Sequence, residues 1–214
     1  MALWTWNIIN PAFLSGLIFP RFTYRIKDDE QNVFLTFDDG PDPDVTPFVL
    51  ELLGEYNAKA TFFMRGINVE RQPQLVSRVL KEGHTIGNHS YSHPDGWRTD
   101  SSSYCEDVFK ASKIIDSEMF RPPYGRIRPS QTKQISLKHK IVMWDVMSHD
   151  YSESVTPEKC TNNVLKHYRS GSIIVFHDSS FAFRNLRYAL PIVMKDIHEK
   201  GFTCKALSPD MLRG

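Results

Sequence analysis

Disulfides, nucleic acid and a membrane span all find little support in the composition of this 214-residue chain. Its cysteines, Cys105, Cys160 and Cys204, are odd in number and widely separated. With no Cys-x-x-Cys pair, they argue against a disulfide framework or a thiolate metal site, and buried thiols in a reducing compartment are expected instead. Charged residues make up 24% and the formal net charge is +1, so bulk electrostatics favours neither nucleic acid nor an anionic membrane as partner. No internal repeat, low-complexity tract or linker divides the chain, and its length suits one well-buried core better than two. Charge is also missing from the first twenty residues, yet Asn7, Asn10, Pro11, Ser15 and Pro20 interrupt their apolar character. A spanning helix needs a longer uninterrupted run, and a secretory signal needs a basic start and a small-residue cleavage site. Residues 1–30 are therefore expected to form an apolar strap on a single domain over 31–214, with Trp4, Trp6, Phe13 and Phe19 as anchors. Weak contact with a membrane surface through this end is the second reading. Without a recognisable export signal the expected compartment is cytoplasmic, with membrane association or export as alternatives.

From Val33 onward, short apolar runs alternate with longer amphipathic stretches. Strands are predicted at Val33–Phe37, Lys59–Met64, His84–Gly87, Phe120, Ile141–Val146, Ser172–Phe176 and Phe202–Lys205. Helices are predicted at Val45–Tyr56, Gln74–Lys81, Ser101–Ser117, Pro129–Leu137, Pro157–Tyr168 and Leu186–Glu199. A repeated strand-then-helix order implies parallel strands joined by right-handed crossovers, and closure into a barrel follows most naturally. The fold class expected is α/β, a distorted (β/α) barrel with about seven parallel strands.

Chemistry-bearing residues fall at the ends of those strands. Asp38-Asp39-Gly40-Pro41 follows the first, and the segment from His89 to His93 follows the third. An Asp-Gly-Pro run alone is most often a turn, and two histidines four apart occur on ordinary helices. Together, two imidazoles and one carboxylate make one of the usual three-ligand sets for a divalent ion that keeps an open position for water. The second aspartate is then left over, where a general base for activated water would sit.

Two further segments complete the series: Arg121-Pro122-Pro123-Tyr124-Gly125, and the apolar run Ile173–Phe176 ending in His177-Asp178. With these the chain resembles the polysaccharide deacetylases, the NodB-homology group of carbohydrate esterases, over a span from about Val33 to Thr203. That resemblance implies a distorted (β/α) barrel and makes 31–214 a NodB-like catalytic domain. It implies metal ligation by Asp39, His89 and His93, with zinc the first expectation and cobalt, nickel and manganese the alternatives. It further implies Asp38 as base, Arg121 as its orienting partner, His177 as general acid and Asp150 as the carboxylate raising the His177 pKa. Flanked by a dication and Arg121, Asp38 is expected to have a lowered pKa. Pro122 and Pro123 lack N–H groups, so the Tyr124 N–H is the first donor after them and the expected oxyanion donor, while its ring could stack on a sugar. Val175 and Trp144 are the expected walls of a small acetyl pocket.

The segment from Trp144 to Tyr151 departs most from the family pattern, with Met147 where many members carry Asp and Tyr151 where many carry Trp. His84, His139, His149, His167 and His198 have no motif behind them and are expected to be structural or exposed. The implied activity is metal-dependent hydrolysis of N-acetyl groups on N-acetylglucosamine-containing glycans, so an acetylated glycan is the expected partner. An O-acetyl xylan esterase, a non-sugar amide hydrolase and a catalytically silent carbohydrate binder are the alternatives.

Overall fold

The computed structural model describes residues 22–27 and 30–212. Seven strands form one curled parallel sheet: β1 (Asn32–Asp38), β2 (Thr61–Met64), β3 (Thr85–Asn88), β4 (Met119–Phe120), β5 (Lys140–Ile141), β6 (Val146–Met147) and β7 (Ile173–His177). Their order is β5-β4-β3-β2-β1-β7-β6, and β8 (Thr203–Cys204) adds to the start of β1. Helices α1 (Val45–Glu55), α2 (Gly66–Arg71), α3 (Pro73–Lys81), α4 (Ser101–Ala111), α5 (Pro129–Ile135), α6 (Pro157–Leu165) and α7 (Phe183–Glu199) connect them. This is the (β/α) barrel expected from the alternating pattern.

Side-chain alternation divides the core in two. Val33, Leu35 and Phe37 of β1, with Ile174 and Phe176 of β7, face outward against Leu53, Leu186 and Leu190 of the helices. Phe34, Ile173, Val175 and Phe63 point into the barrel, where they pack with Met119, Phe120 and Trp144. The same parity continues along each strand. On β1 the inward series runs Phe34, Thr36, Asp38, and on β7 it runs Ile173, Val175, His177. Because Asp38 is in register with His177 on one side and with Phe63 on the other, the inward series ends with a carboxylate and an imidazole in one layer.

The predicted strand Ile141–Val146 is instead two short strands, β5 and β6, on opposite edges of the curled sheet. Residues 142–145 cross between them because their polar groups are used elsewhere. The carbonyls of Val142 and Met143 accept from the Arg121 guanidinium. The buried Asp145 carboxylate accepts from the Ser172 hydroxyl at 3.0 Å and the Ile173 N–H at 2.9 Å. The gap is also crossed by the segment 22–27. Thr23 exchanges backbone hydrogen bonds with Ile141 and Met143, and the Ile26 N–H donates to the Gly171 carbonyl at 2.9 Å. Phe22, Tyr24 and Ile26 are buried in the inner core. The remainder of the expected strap, including Trp4, Trp6, Phe13 and Phe19, lies outside the described residues.

Two other differences have local causes. Helix α2 escapes a periodicity search because it is one turn and a half beginning at Gly66, with a single buried apolar residue, Val69. The predicted helix Ser101–Ser117 stops at Ala111, where the Val108 carbonyl accepts from the Asn88 side chain and the Ser112 hydroxyl as well as from the Ser112 N–H. All three cysteines are buried and free, as expected. Among the described residues no helix is long and apolar enough to cross a membrane.

Replacing Asp145 by Ala leaves the buried Ile173 N–H without its acceptor and should cost about 2–3 kcal/mol. A lowered urea midpoint at unchanged slope would register that loss, and an unaltered midpoint would mean that the crossing between β5 and β6 is held by packing alone.

Candidate active site

Parallel strands deliver their carboxyl ends to one face, and the candidate residues collect there. Asp38 ends β1 and His177 ends β7. His89 follows the last residue of β3, Arg121 follows the last of β4, and Asp150 lies three residues beyond β6.

Asp39, His89 and His93 bring one ligand atom each to within 4.8 Å of one another. The His93 Nε2 lies 3.2 Å and the His89 Nε2 3.9 Å from the Asp39 Oδ1. That oxygen is buried and has no hydrogen-bond partner among the described residues, a costly condition unless a cation is its partner. The His89 Nδ1 donates to the Arg121 carbonyl at 2.8 Å, which fixes the tautomer and turns the Nε2 lone pair toward Asp39. Burial pushes both imidazoles toward the neutral form, His89 most strongly. Burial alone would raise Asp39, but His93, His89, His177 and Arg65 outweigh it and its pKa is lowered. Two neutral imidazoles and an ionised carboxylate fit a divalent cation.

Beside this cluster the Asp38 Oδ1 accepts from the Arg121 Nη1 at 2.7 Å. Arg121 is completely buried. Its other donors reach the Thr36 hydroxyl at 2.8 Å and the carbonyls of Val142 and Met143 at 3.2 and 2.9 Å, and its plane lies 4.1 Å over the Phe63 ring. A lowered Asp38 pKa is the expectation for a carboxylate beside both a dication and Arg121; with Arg121 and His177 alone as its cationic neighbours the balance runs the other way. Burial raises it and outweighs the opposing pull of Arg121 and His177. A carboxylate with raised pKa is the stronger proton acceptor.

On the opposite side the His177 Nδ1 donates to the Asp150 Oδ1 at 2.7 Å, and the His177 backbone N–H donates to the Oδ2 at 2.8 Å. Burial pulls His177 down, but Asp150, assisted by Asp39 and Asp38, reverses this and lifts it to about 9. Asp150 is itself held by the Ser148 hydroxyl at 3.0 Å. Tyr151 presents its ring edge-on to His177 at 4.9 Å, and its hydroxyl is 3.2 Å from the His149 Nδ1. His149 thus belongs to the surroundings of the acid, although no motif marks it.

Tyr124 has φ 57°, and its N–H makes no hydrogen bond among the described residues, whereas those of Gly125 and Arg126 donate to Pro122 and Pro123. Its half-exposed ring meets His93 edge-on at 4.5 Å. Trp144, Val175 and Met147 are buried together in the inner core beneath this face, with Val175 directly in register with Met147. Gly125 is confined to glycine on two counts, a φ of +63° and a Cβ that would lie 2.7 Å from the Trp144 ring.

Several supporting residues carry no signature of their own. The buried Asp178 carboxylate accepts from the Gly40 N–H at 3.1 Å and the Thr46 hydroxyl at 2.6 Å, and burial raises its pKa well above the usual range. Asn68 donates to the Asp39 carbonyl at 2.8 Å. Asp107 accepts from the N–H groups of Tyr91 and Ser92, bracing the loop between the two histidines. Asp39, Ser90, His93, Tyr124 and His149 all have positive φ, so the face is built from backbone that L-residues seldom adopt. The adjacency of Asp178 to His177 is the one clue that the sequence offered to this group.

A parallel barrel that gathers a carboxylate, two imidazoles, a buried base and a charged histidine on its carboxyl face has the construction of a metal-dependent hydrolase. Residues 25–144 match the family model for polysaccharide deacetylase, and the chain belongs to that family. The family is metal-dependent, and the deacetylases among the relatives of this chain are hydrolases acting on carbon–nitrogen bonds. One relative, a peptidoglycan-N-acetylglucosamine deacetylase of Bacillus cereus, is 39% identical over 71% of this chain and 57% of its own length, so this chain spans little more than half of it. A second from the same organism and with the same description is 34% identical over 89% of this chain and 92% of its own. The crystal structure of a peptidoglycan N-acetylglucosamine deacetylase bound to an N-hydroxybenzamide derivative superposes with a TM-score of 0.84. It has 33% identity and covers 93% of this chain and 96% of the other.

In the chelated protein the His177 imidazole should titrate near pH 9, and Asp150→Asn should bring it below the ordinary 6.5, where burial then dominates. Because the folded value is the raised one, the stabilisation from this pair is complete below about pH 6.5 and is lost as pH rises through about 9. Imidazole NMR titration of both proteins would test this, and coincident curves would show that Asp150 does not set the charge.

Proposed function

We propose that this chain is a metal-dependent deacetylase of N-acetylglucosamine-containing glycans. The observation that carries this reading is the unpartnered Asp39 Oδ1 between two imidazole nitrogens, with Asp38 and His177 in adjacent register beside it. A divalent cation held by Asp39, His89 and His93 would acidify water and polarise the acetamide carbonyl. Zinc is the ion best suited to two nitrogens and a carboxylate oxygen, with cobalt, nickel and manganese as alternatives.

Asp38 takes the proton from the attacking water, oriented by Arg121. The Tyr124 N–H donates to the oxyanion that develops on the carbonyl oxygen, at no reorganisation cost because the two prolines fix its direction. His177, held charged by Asp150, gives its Nε2 proton to the departing amine as the C–N bond breaks, and acetate is released. Val175, Trp144 and Met147 supply an apolar floor for the acetyl methyl. The named activities of the relatives support a peptidoglycan or related N-acetylglucosamine substrate. The same groups could act on an O-acetyl ester, where the leaving alcohol asks less of His177.

Acetate release should be measured with N-acetylglucosamine oligomers, peptidoglycan fragments and acetylated xylan, before and after chelation. We expect chelator-sensitive release from the first two, and a fall in kcat of about 10²–10⁴ in Asp38→Asn, with metal affinity by calorimetry little changed. Release from xylan alone would move the reading to an esterase, and no release from any substrate by zinc-loaded protein would support a silent binder.

A further inference from the structure

Arg65 stands out among the charged residues of the carboxyl face. It follows Met64, the last residue of β2, and its backbone is extended at φ −81° and ψ 131°. The inward parity of β2, Thr61 then Phe63, therefore carries through to Arg65. Phe63 is in register with Asp38, so Arg65 stands one layer above the base, toward the mouth of the barrel. Its N–H donates to the Gly40 carbonyl at 3.1 Å, and the following Gly66 N–H donates to the Ser90 carbonyl at 2.9 Å. These bonds wedge it between the loop carrying Asp39 and the loop carrying His89 and His93.

Among the described residues no carboxylate forms an ion pair with this guanidinium. Arg65 forms no ion pair and no side-chain hydrogen bond among the described residues, and its Nε is buried without a partner. It is close enough to act on the charges of Asp39 and His93. A buried donor left unmade is costly, and a planar fork of N–H groups suits an oxyanion group. In contrast, Arg121 has its charge met by Asp38 and Arg126 is bonded to Asp95.

We infer that Arg65 is a specificity-determining residue that receives an anionic substituent of the glycan, a carboxylate or a phosphomonoester, next to the acetamide that is cleaved. The inference rests on the deacetylase reading above. It distinguishes substrates bearing an acidic group, such as a lactyl ether on the sugar, from neutral N-acetylglucosamine oligomers. An alternative role, in which Arg65 only adjusts the charge of Asp39, would appear as altered metal affinity with no change in substrate preference.

The experiment compares the zinc-loaded wild type with Arg65→Gln and Arg65→Lys on three substrates of equal length. One is a neutral N-acetylglucosamine tetramer, one alternates N-acetylglucosamine with N-acetylmuramic acid, and one carries a sugar 6-phosphate. The ratio of kcat/KM for an acidic substrate to that for the neutral one should fall about ten-fold or more in Arg65→Gln, through KM, and recover in part in Arg65→Lys. Which acidic substrate shows the effect tells carboxylate from phosphate. In parallel, calorimetry on Asp38→Asn, with and without Arg65→Gln, reads binding of the same three glycans without turnover. Equal losses for neutral and acidic glycans, or an unchanged ratio with weakened zinc binding, would overturn the inference. Absence of turnover on all three would count against the deacetylase reading, and the binding comparison would still decide the role of Arg65.

Discussion

A single buried guanidinium connects most of this structure. Arg121 donates to the Asp38 carboxylate, to the Thr36 hydroxyl inside β1 and to two carbonyls of the link that carries the chain from β5 to β6, and it stacks on Phe63. Its own carbonyl sets the His89 tautomer. A fully buried charge survives only when its donors and its charge are both answered. Satisfying Arg121 therefore ties together the closed barrel, the Asp38 carboxylate and the turned His89 ring. The closure of the fold and the chemistry of its face are the same set of hydrogen bonds seen from two directions.

Two histidines of one face end up in opposite charge states through their neighbours. His89 is buried with only a neutral carbonyl on its Nδ1, and it stays neutral, as metal ligation would require. His177 is somewhat more open, and its Nδ1 meets the Asp150 carboxylate, so it is held charged. What stands behind the ring sets the charge of two otherwise identical side chains. The left-handed residues around them complete the arrangement, since turning the chain sharply after each strand brings side chains of different strands to one point.

Strand and helix order could be read from the sequence because the buried strands are continuous apolar runs and the longer helices have a clear apolar stripe. The ligand cluster and the Asp38–Arg121 and Asp150–His177 pairs were legible for a different reason, as short motifs whose residue types suit one chemistry. What escaped was whatever depends on contacts far apart in the chain. The break at Trp144–Asp145 follows from polar groups captured by Arg121 and Ser172, which no local window contains. The upward pull of burial on Asp38 depends on how deeply the carboxylate is enclosed, and Asp178 earns its place only through Gly40 and Thr46. Departures of Met147 and Tyr151 from the family pattern became interpretable once one was seen beneath the face and the other against His177.

The central position of β1 sets an order on assembly. Its neighbour β2 follows within a few dozen residues, as do β3 and the two histidines, so all three ligand residues belong to the first half of the chain. The other neighbour, β7, arrives 138 positions after its partners, judged by the Thr36–Ile174 bond. Closing that loop is the slow, entropically expensive step of such a topology. During synthesis Asp39, His89 and His93 are therefore in reach of one another well before His177 docks beside Asp38, so a cation could be held before the rest of the face is assembled.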